Sequence, residues 1–139
     1  MKRRTLLLLL LGITSLTSCK QINKARELSD KAVVDFHLQL NEGKFKEIYA
    51  AAHADLKSAT TEEDFVKLLD AVHRKLGRQV KSTSQGWRLN TVNGRTTMTV
   101  THESEFEHGK GTEIFAFAIS GESCTLREYQ INSQDMMIK

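Results

Sequence analysis

From residue 25 onward the apolar positions recur at intervals of three and four. Ala25, Leu28, Ala32, Phe36 and Leu40 share one side of a helix over 25–41, and Asn41-Glu42-Gly43 breaks it. A second, shorter helix carries Phe45, Ile48, Tyr49 and Ala52 on one side. Thr60 is placed to cap a third, with Glu63 three residues on as a capping box requires. Phe65, Leu68, Leu69, Val72 and Leu76 form its stripe. Arg74 and Lys75 suit the negative end of the helix dipole, and Gly77 suits the C′ position.

The period then changes from 3.6 to two. Val80 to Leu89 predicts a strand bent at Gly86, and Asn93-Gly94 a tight turn. Met98, Val100, His102, Ser104 and Phe106 share one face of the next strand, and Thr97, Thr99, Thr101, Glu103 and Glu105 the other. His108 to Gly111 predicts the following loop. Pairing Glu107 with Thr112 then sets Ser104 opposite Phe115, His102 opposite Phe117 and Val100 opposite Ile119, apolar against apolar. In that register Glu113 faces Phe106 beside a solvated turn. A last strand runs through Cys124, Leu126, Tyr129 and Ile131, and its switch from even to odd positions predicts a bulge. Residues 134–139 carry no pattern.

Three helices followed by about four meandering antiparallel strands define an α+β layer fold, a single domain over 27–133 with the helices on a curved sheet. The helix–Gly–aromatic–helix link "LNEGKFKEIYAAAHADLK", the "LGRQVKS" exit of the third helix, and "SEFEHGKGTEIFAF" with "CTLREYQINS" in the sheet carry a family resemblance. They resemble the nuclear-transport-factor-two-like (cystatin-like) superfamily, closest to its small exported bacterial domains of uncharacterised role. The resemblance implies a cone between helices and sheet. Many relatives carry Trp just after the last turn, where this chain has Ser123-Cys124; Trp87 is a candidate to fill that end of the cone.

Ahead of the domain, Lys2, Arg3 and Arg4 precede an apolar stretch from Leu6 to Leu16 and then small residues. That is the layout of an export signal. The stretch falls short of the about 20 residues a spanning helix needs. It ends in Leu16-Thr17-Ser18-Cys19, which resembles the lipobox of bacterial lipoproteins. The resemblance implies a signal peptide over 1–18, cleavage before Cys19, a diacylglycerol thioether on Cys19 and acylation (palmitate or a similar chain) of the new amino group. Residues 19–26 would then be the lipidated N-terminus and a short tether. Lys20 in the second mature position implies the outer membrane, facing the periplasm, in a host with two membranes.

Removing the leader changes the charge picture. The chain has 20 basic and 17 acidic residues. The three leader cations account for the whole excess, so the remainder is neutral and nothing favours nucleic acid. With Cys19 lipidated, Cys124 has no disulfide partner. "SCTL" holds no cation that would activate its thiol, so Cys124 is expected to be a small buried hydrophobe.

Candidate chemistry is sparse. His37, His53, His73, His102 and His108 include no HExxH and no Cys at ligand spacing, so neither a metal nor a cofactor is expected. Enzymes of the resembled superfamily, isomerases and dehydratases, place an acid or His base and a Tyr or acid inside the cone. The candidates here are His102, on the inner sheet face, and Tyr49, on the second helix. Trp87, Phe117 and Tyr129 are further candidates to line a pocket. A core histidine explains His102, and a core tyrosine Tyr49, without any chemistry. The expected function is therefore that of a membrane-anchored lipoprotein whose domain binds a protein or a small apolar ligand, with an enzyme using His102 and Tyr49 as the alternative. Ile114, Ala116 and Ala118 form an apolar strip on the outer sheet face. That strip is a candidate homodimer surface, unless its neighbours shield it.

Overall fold

The computed structural model describes residues 15–138, with side chains from residue 18. It is an α+β fold with five helices and one antiparallel sheet among those residues. The helices are α1 (Ser15–Asn41), α2 (Phe45–Ala50), α3 (Ala54–Ala59), α4 (Glu62–Leu76) and α5 (Gln134–Ile138). The strands are β1 (Gln79–Val92), β2 (Arg95–Phe106), β3 (Gly109–Ser120) and β4 (Ser123–Asn132), hydrogen-bonded in that order as a meander. Most of the segment expected to be a leader, residues 1–14, lies outside the described residues. No described helix is long and apolar enough to cross a membrane.

Two helices more than expected have local causes. His53 caps α3, its Nδ1 accepting from the Asp55 amide at 3.1 Å. The Thr60 amide closes α3 by donating to the Leu56 carbonyl, so Thr60 ends one helix and Thr61 starts the next. Thr61 Oγ1 accepts from the Asp64 amide at 3.2 Å, which moves the predicted cap one residue on. At the other end of the chain, Ser133 Oγ accepts from the Met136 amide, and the patternless tail becomes α5.

α1 is longer than predicted and turned slightly. Ala25, Ser29, Val33, Phe36, His37 and Leu40 are buried, whereas Leu28 and Ala32 are only half-buried. The stretch expected to be a tether is helical, and Ala25 already belongs to the core. α1 ends in a Schellman motif: Lys44 N bonds Gln39 O and Gly43 N bonds Leu40 O, with Gly43 at φ 71°. α1 lies on the inner sheet face and α4 packs beside it, against α2 and α5.

The β2–β3 hairpin corrects the predicted register. Phe106 pairs with Gly109 across a two-residue turn, Glu107-His108, so Gly109 to Gly111 belong to the strand. The glycines are there for close approach. A Cβ on Gly109 would lie 2.7 Å from Asp135 Cβ, and one on Gly111 3.0 Å from Ile131 Cδ1. The turn is also tied to the end of α4, since Glu107 N bonds Arg78 O and His108 N bonds Leu76 O. Ser104 therefore faces Gly111, Val100 faces Phe115, and His102 faces Glu113 rather than Phe117. The shift is an even number of residues, so the inner and outer faces keep their predicted members.

Elsewhere the predicted irregularities stand. Asn93 and Gly94 turn with φ 51° and 73°. The β1–β2 register slips between Ser84 and Gly86, where the bend was expected, and β4 slips at Arg127. The second bulge explains the outer strip. Arg127 hydrogen-bonds Thr97 on β2 and Asp55 on α3, so its side chain spans β3 on the outer side. The small side chains of Ala116 and Ala118 leave room for it, and Ala116 is buried within the single chain.

Candidate functional site

Four elements bring polar side chains into the core around Glu113 on β3. The carboxylate has no solvent exposure (0 %). His37 on α1 stands with Nε2 2.7 Å from Glu113 Oε1, and Tyr129 on β4 donates its hydroxyl to Oε2 at 2.6 Å. Ser104 on β2 stands beside the same carboxylate and favours its charged form. A carboxylate only accepts, so the His37 nitrogen facing it carries a hydrogen. Burial pushes the Glu113 pKa up, but His37, with Ser104 and the Tyr129 hydroxyl, outweighs it. The net shift is downward, and the group stays ionised. Burial and the adjacent Glu113 charge hold Tyr129 well above the usual phenol range, so it remains a neutral donor.

The network continues towards β1. Ser104 Oγ lies 3.2 Å from Ser82 Oγ, which lies 2.8 Å from His102 Nδ1. His102 is 7 % exposed, and its Nε2 is buried without a hydrogen-bond partner. Burial, then the neighbouring His37, lower its pKa against the opposing pull of Glu113 and Asp30. Aromatic rings enclose the whole group. Phe115 meets Phe36, His37, His102 and Tyr129 at ring-centre distances of 5.0, 5.8, 6.1 and 5.2 Å, and stacks on Phe117.

Of the residues singled out from sequence, His102 and Tyr129 join this network and Tyr49 does not. The Tyr49 hydroxyl donates to the Thr60 carbonyl at 2.8 Å and its ring lies beside Phe65, where it ties α2 to the α3–α4 link. Trp87 lies on the inner side of β1, half open to solvent, with the Arg26 guanidinium 5.1 Å above its ring. Phe117 lines a cleft of about 190 Å³ between α1, the end of α2 and β4, with Ala32, Phe36, Ile48, Ala52 and Leu126. Cys124 is half-buried, and its thiol is pushed up to about 11 by burial against a Ser29 hydrogen bond. Cys19 is exposed on α1.

Glu113 and His37 escape sequence reasoning. Glu113 was expected near solvent because the predicted pairing of β2 with β3 was displaced by four residues. His37 sits one residue off the expected stripe, but on the face that also holds Val33. Among the described residues, no group of three or more His, Cys, Asp or Glu stands where it could hold a metal ion. No protein-family model and no curated protein matches the chain.

Proposed function

We propose that this chain is a lipid-anchored bacterial envelope protein, tethered through Cys19, whose nuclear-transport-factor-two-like domain binds rather than catalyses. The observation that carries the non-enzymatic reading is the saturation of Glu113. An interior acid that works on a substrate needs a face turned to it, and this carboxylate is fully buried with one oxygen held by His37 and the other by Tyr129. Its role is then architectural, pinning α1 to β3 and β4. The anchor reading rests on the lipobox and on the exposure of Cys19. Cells fed a clickable palmitate analogue should label the wild-type protein and not Cys19→Ser, which should also keep its leader. Undiminished labelling of the variant would overturn the reading.

A second reading has one observation in its favour, the unpartnered His102 Nε2. Ser104 donates to Ser82, which leaves the Ser82 hydrogen for His102 Nδ1. Nε2 then carries the hydrogen, able to donate to a carbonyl or hydroxyl oxygen of a small ligand. This arrangement requires neutral His102. Because its pKa is lowered in the fold, the unfolded chain takes up a proton first as pH falls through about 6.5. Stability should therefore be full above that pH and decline below it. Urea midpoints measured between pH 7.5 and 5 should show the decline in wild type and lose part of it in His102→Gln; a flat profile would exclude a buried neutral imidazole.

A further inference from the structure

The lock between α1 and the sheet has a consequence for how an anchored domain sits. α1 is unbroken from Ser15 to Asn41, so cleavage before Cys19 would leave the anchored residue at the start of the helix. Ala25, in the core, lies six positions on from Cys19, about 9 Å along a helix. The anchor point is thus part of a rigid rod rather than a slack linker. The rod has a fixed direction on the sheet. Asn41 exchanges two hydrogen bonds with the Gln79 backbone, at the start of β1. At its other end, Lys24 pairs with Glu122 at 3.0 Å in the β3–β4 turn, and Arg26 covers Trp87. In a meander the β1–β2 and β3–β4 turns share one end of the sheet, and that is the end from which Cys19 projects.

This end is also chemically distinct. Lys20, Arg26 and Arg95 are exposed, and Arg95, beside the Asn93-Gly94 turn, has no ion-pair partner among the described residues. Glu27 and Glu122 stand beside Lys24, and Glu122 is paired with it. At the hairpin tip Val92 is 56 % exposed. Cations around an exposed apolar tip suit the boundary between anionic headgroups and acyl chains. We infer that the β1–β2 hairpin tip is a second, non-covalent membrane contact, with Val92 entering an anionic phospholipid surface and Arg95 and Lys20 meeting its phosphates. The inference rests on the lipid-anchored reading. The domain then stands with the Glu107-His108 turn directed away from the bilayer. A basic residue near such a surface raises partitioning about fivefold, so the tip reinforces the acyl anchor and fixes orientation.

The chain has one tryptophan, which makes the test direct. The lipidated full-length product carrying Trp87→Phe and Val92→Trp is reconstituted into phosphatidylcholine vesicles with and without phosphatidylglycerol. In the anionic vesicles the tip tryptophan should shift to the blue and be quenched by brominated lipid. Adding Arg95→Glu, or salt of about 1 M, which cuts the screening length to about 3 Å, should return both signals to their values in neutral vesicles. Flotation of the same samples reports the anchor separately. Protein that fails to float refutes anchoring and the contact with it. Protein that floats with a water-exposed tip in both lipids refutes the contact alone.

Discussion

Glu113→Ala should lower the free energy of unfolding by about 3–5 kcal/mol, the usual cost of removing a buried charged group from the partners that satisfy it. The side chain is fully enclosed, and its loss strands the His37 N–H and the Tyr129 hydroxyl in an apolar shell, while Ser104 keeps Ser82 as a partner. Glu113→Gln should cost less, because an amide oxygen still accepts from one donor and the Tyr129 hydroxyl can turn to accept from the amide. One further variant separates a net stabilising network from one that is costly only to break. If the network mainly sets the position of α1, Glu113→Met combined with His37→Leu and Tyr129→Phe should recover much of the loss, since no polar group is then left unpaired. Urea unfolding of the four proteins decides it, and a loss below about 1 kcal/mol in Glu113→Ala would remove the network from the core's energetics. The pH dependence follows from the same group. Its folded pKa is depressed, so its contribution is complete above the ordinary carboxylate value of 4.5 and is lost as pH falls below it. Wild type should lose stability in that range more steeply than Glu113→Gln.

The legible parts of this fold are those in which local chemistry and burial agree. The α4 stripe, the Asn93-Gly94 turn and the even-to-odd switch in β4 are each specified by residues within a few positions of one another, and each is found where expected. The illegible parts depend on partners distant in sequence. Gly109 and Gly111 look like loop residues because their function is to let Asp135 and Ile131 approach, and those lie 26 and 20 residues on. Misplacing that turn displaced Glu113 from the core to the solvent. A glutamate is not expected inside unless its donors are known, and one of them, His37, comes from α1, 76 residues away. α5 is a different case. Ser133 followed by Asp135 is a helix-start signal that the sequence does contain, hidden by the absence of an apolar stripe behind it.

Phe115→Ala should cost about 3–5 kcal/mol as well, but by a different mechanism, and a second observable tells the two apart. Phe115 is fully buried at the centre of the aromatic group, touching rings from α1, β2, β3 and β4. Truncation leaves a void that rigid neighbours on four elements cannot collapse to fill, so the loss should lie near the upper end of that range. Phe115→Leu, which keeps most of the volume, should cost less than half as much. The void would adjoin His102, whose lowered pKa is due first to burial. Water admitted there solvates the imidazolium and gives Nε2 a partner, so the His102 titration followed by NMR should move up towards the ordinary histidine value in Phe115→Ala and stay put in Phe115→Leu. In Glu113→Ala the same titration should fall further, because a favourable negative charge has gone while the packing remains. Opposite movements of one resonance in two variants of similar stability loss would show that the rings keep His102 dry and that the carboxylate sets its charge. Movement in the same direction in both would mean that the site collapses as a unit, and that the apolar shell and polar network are one structure rather than two.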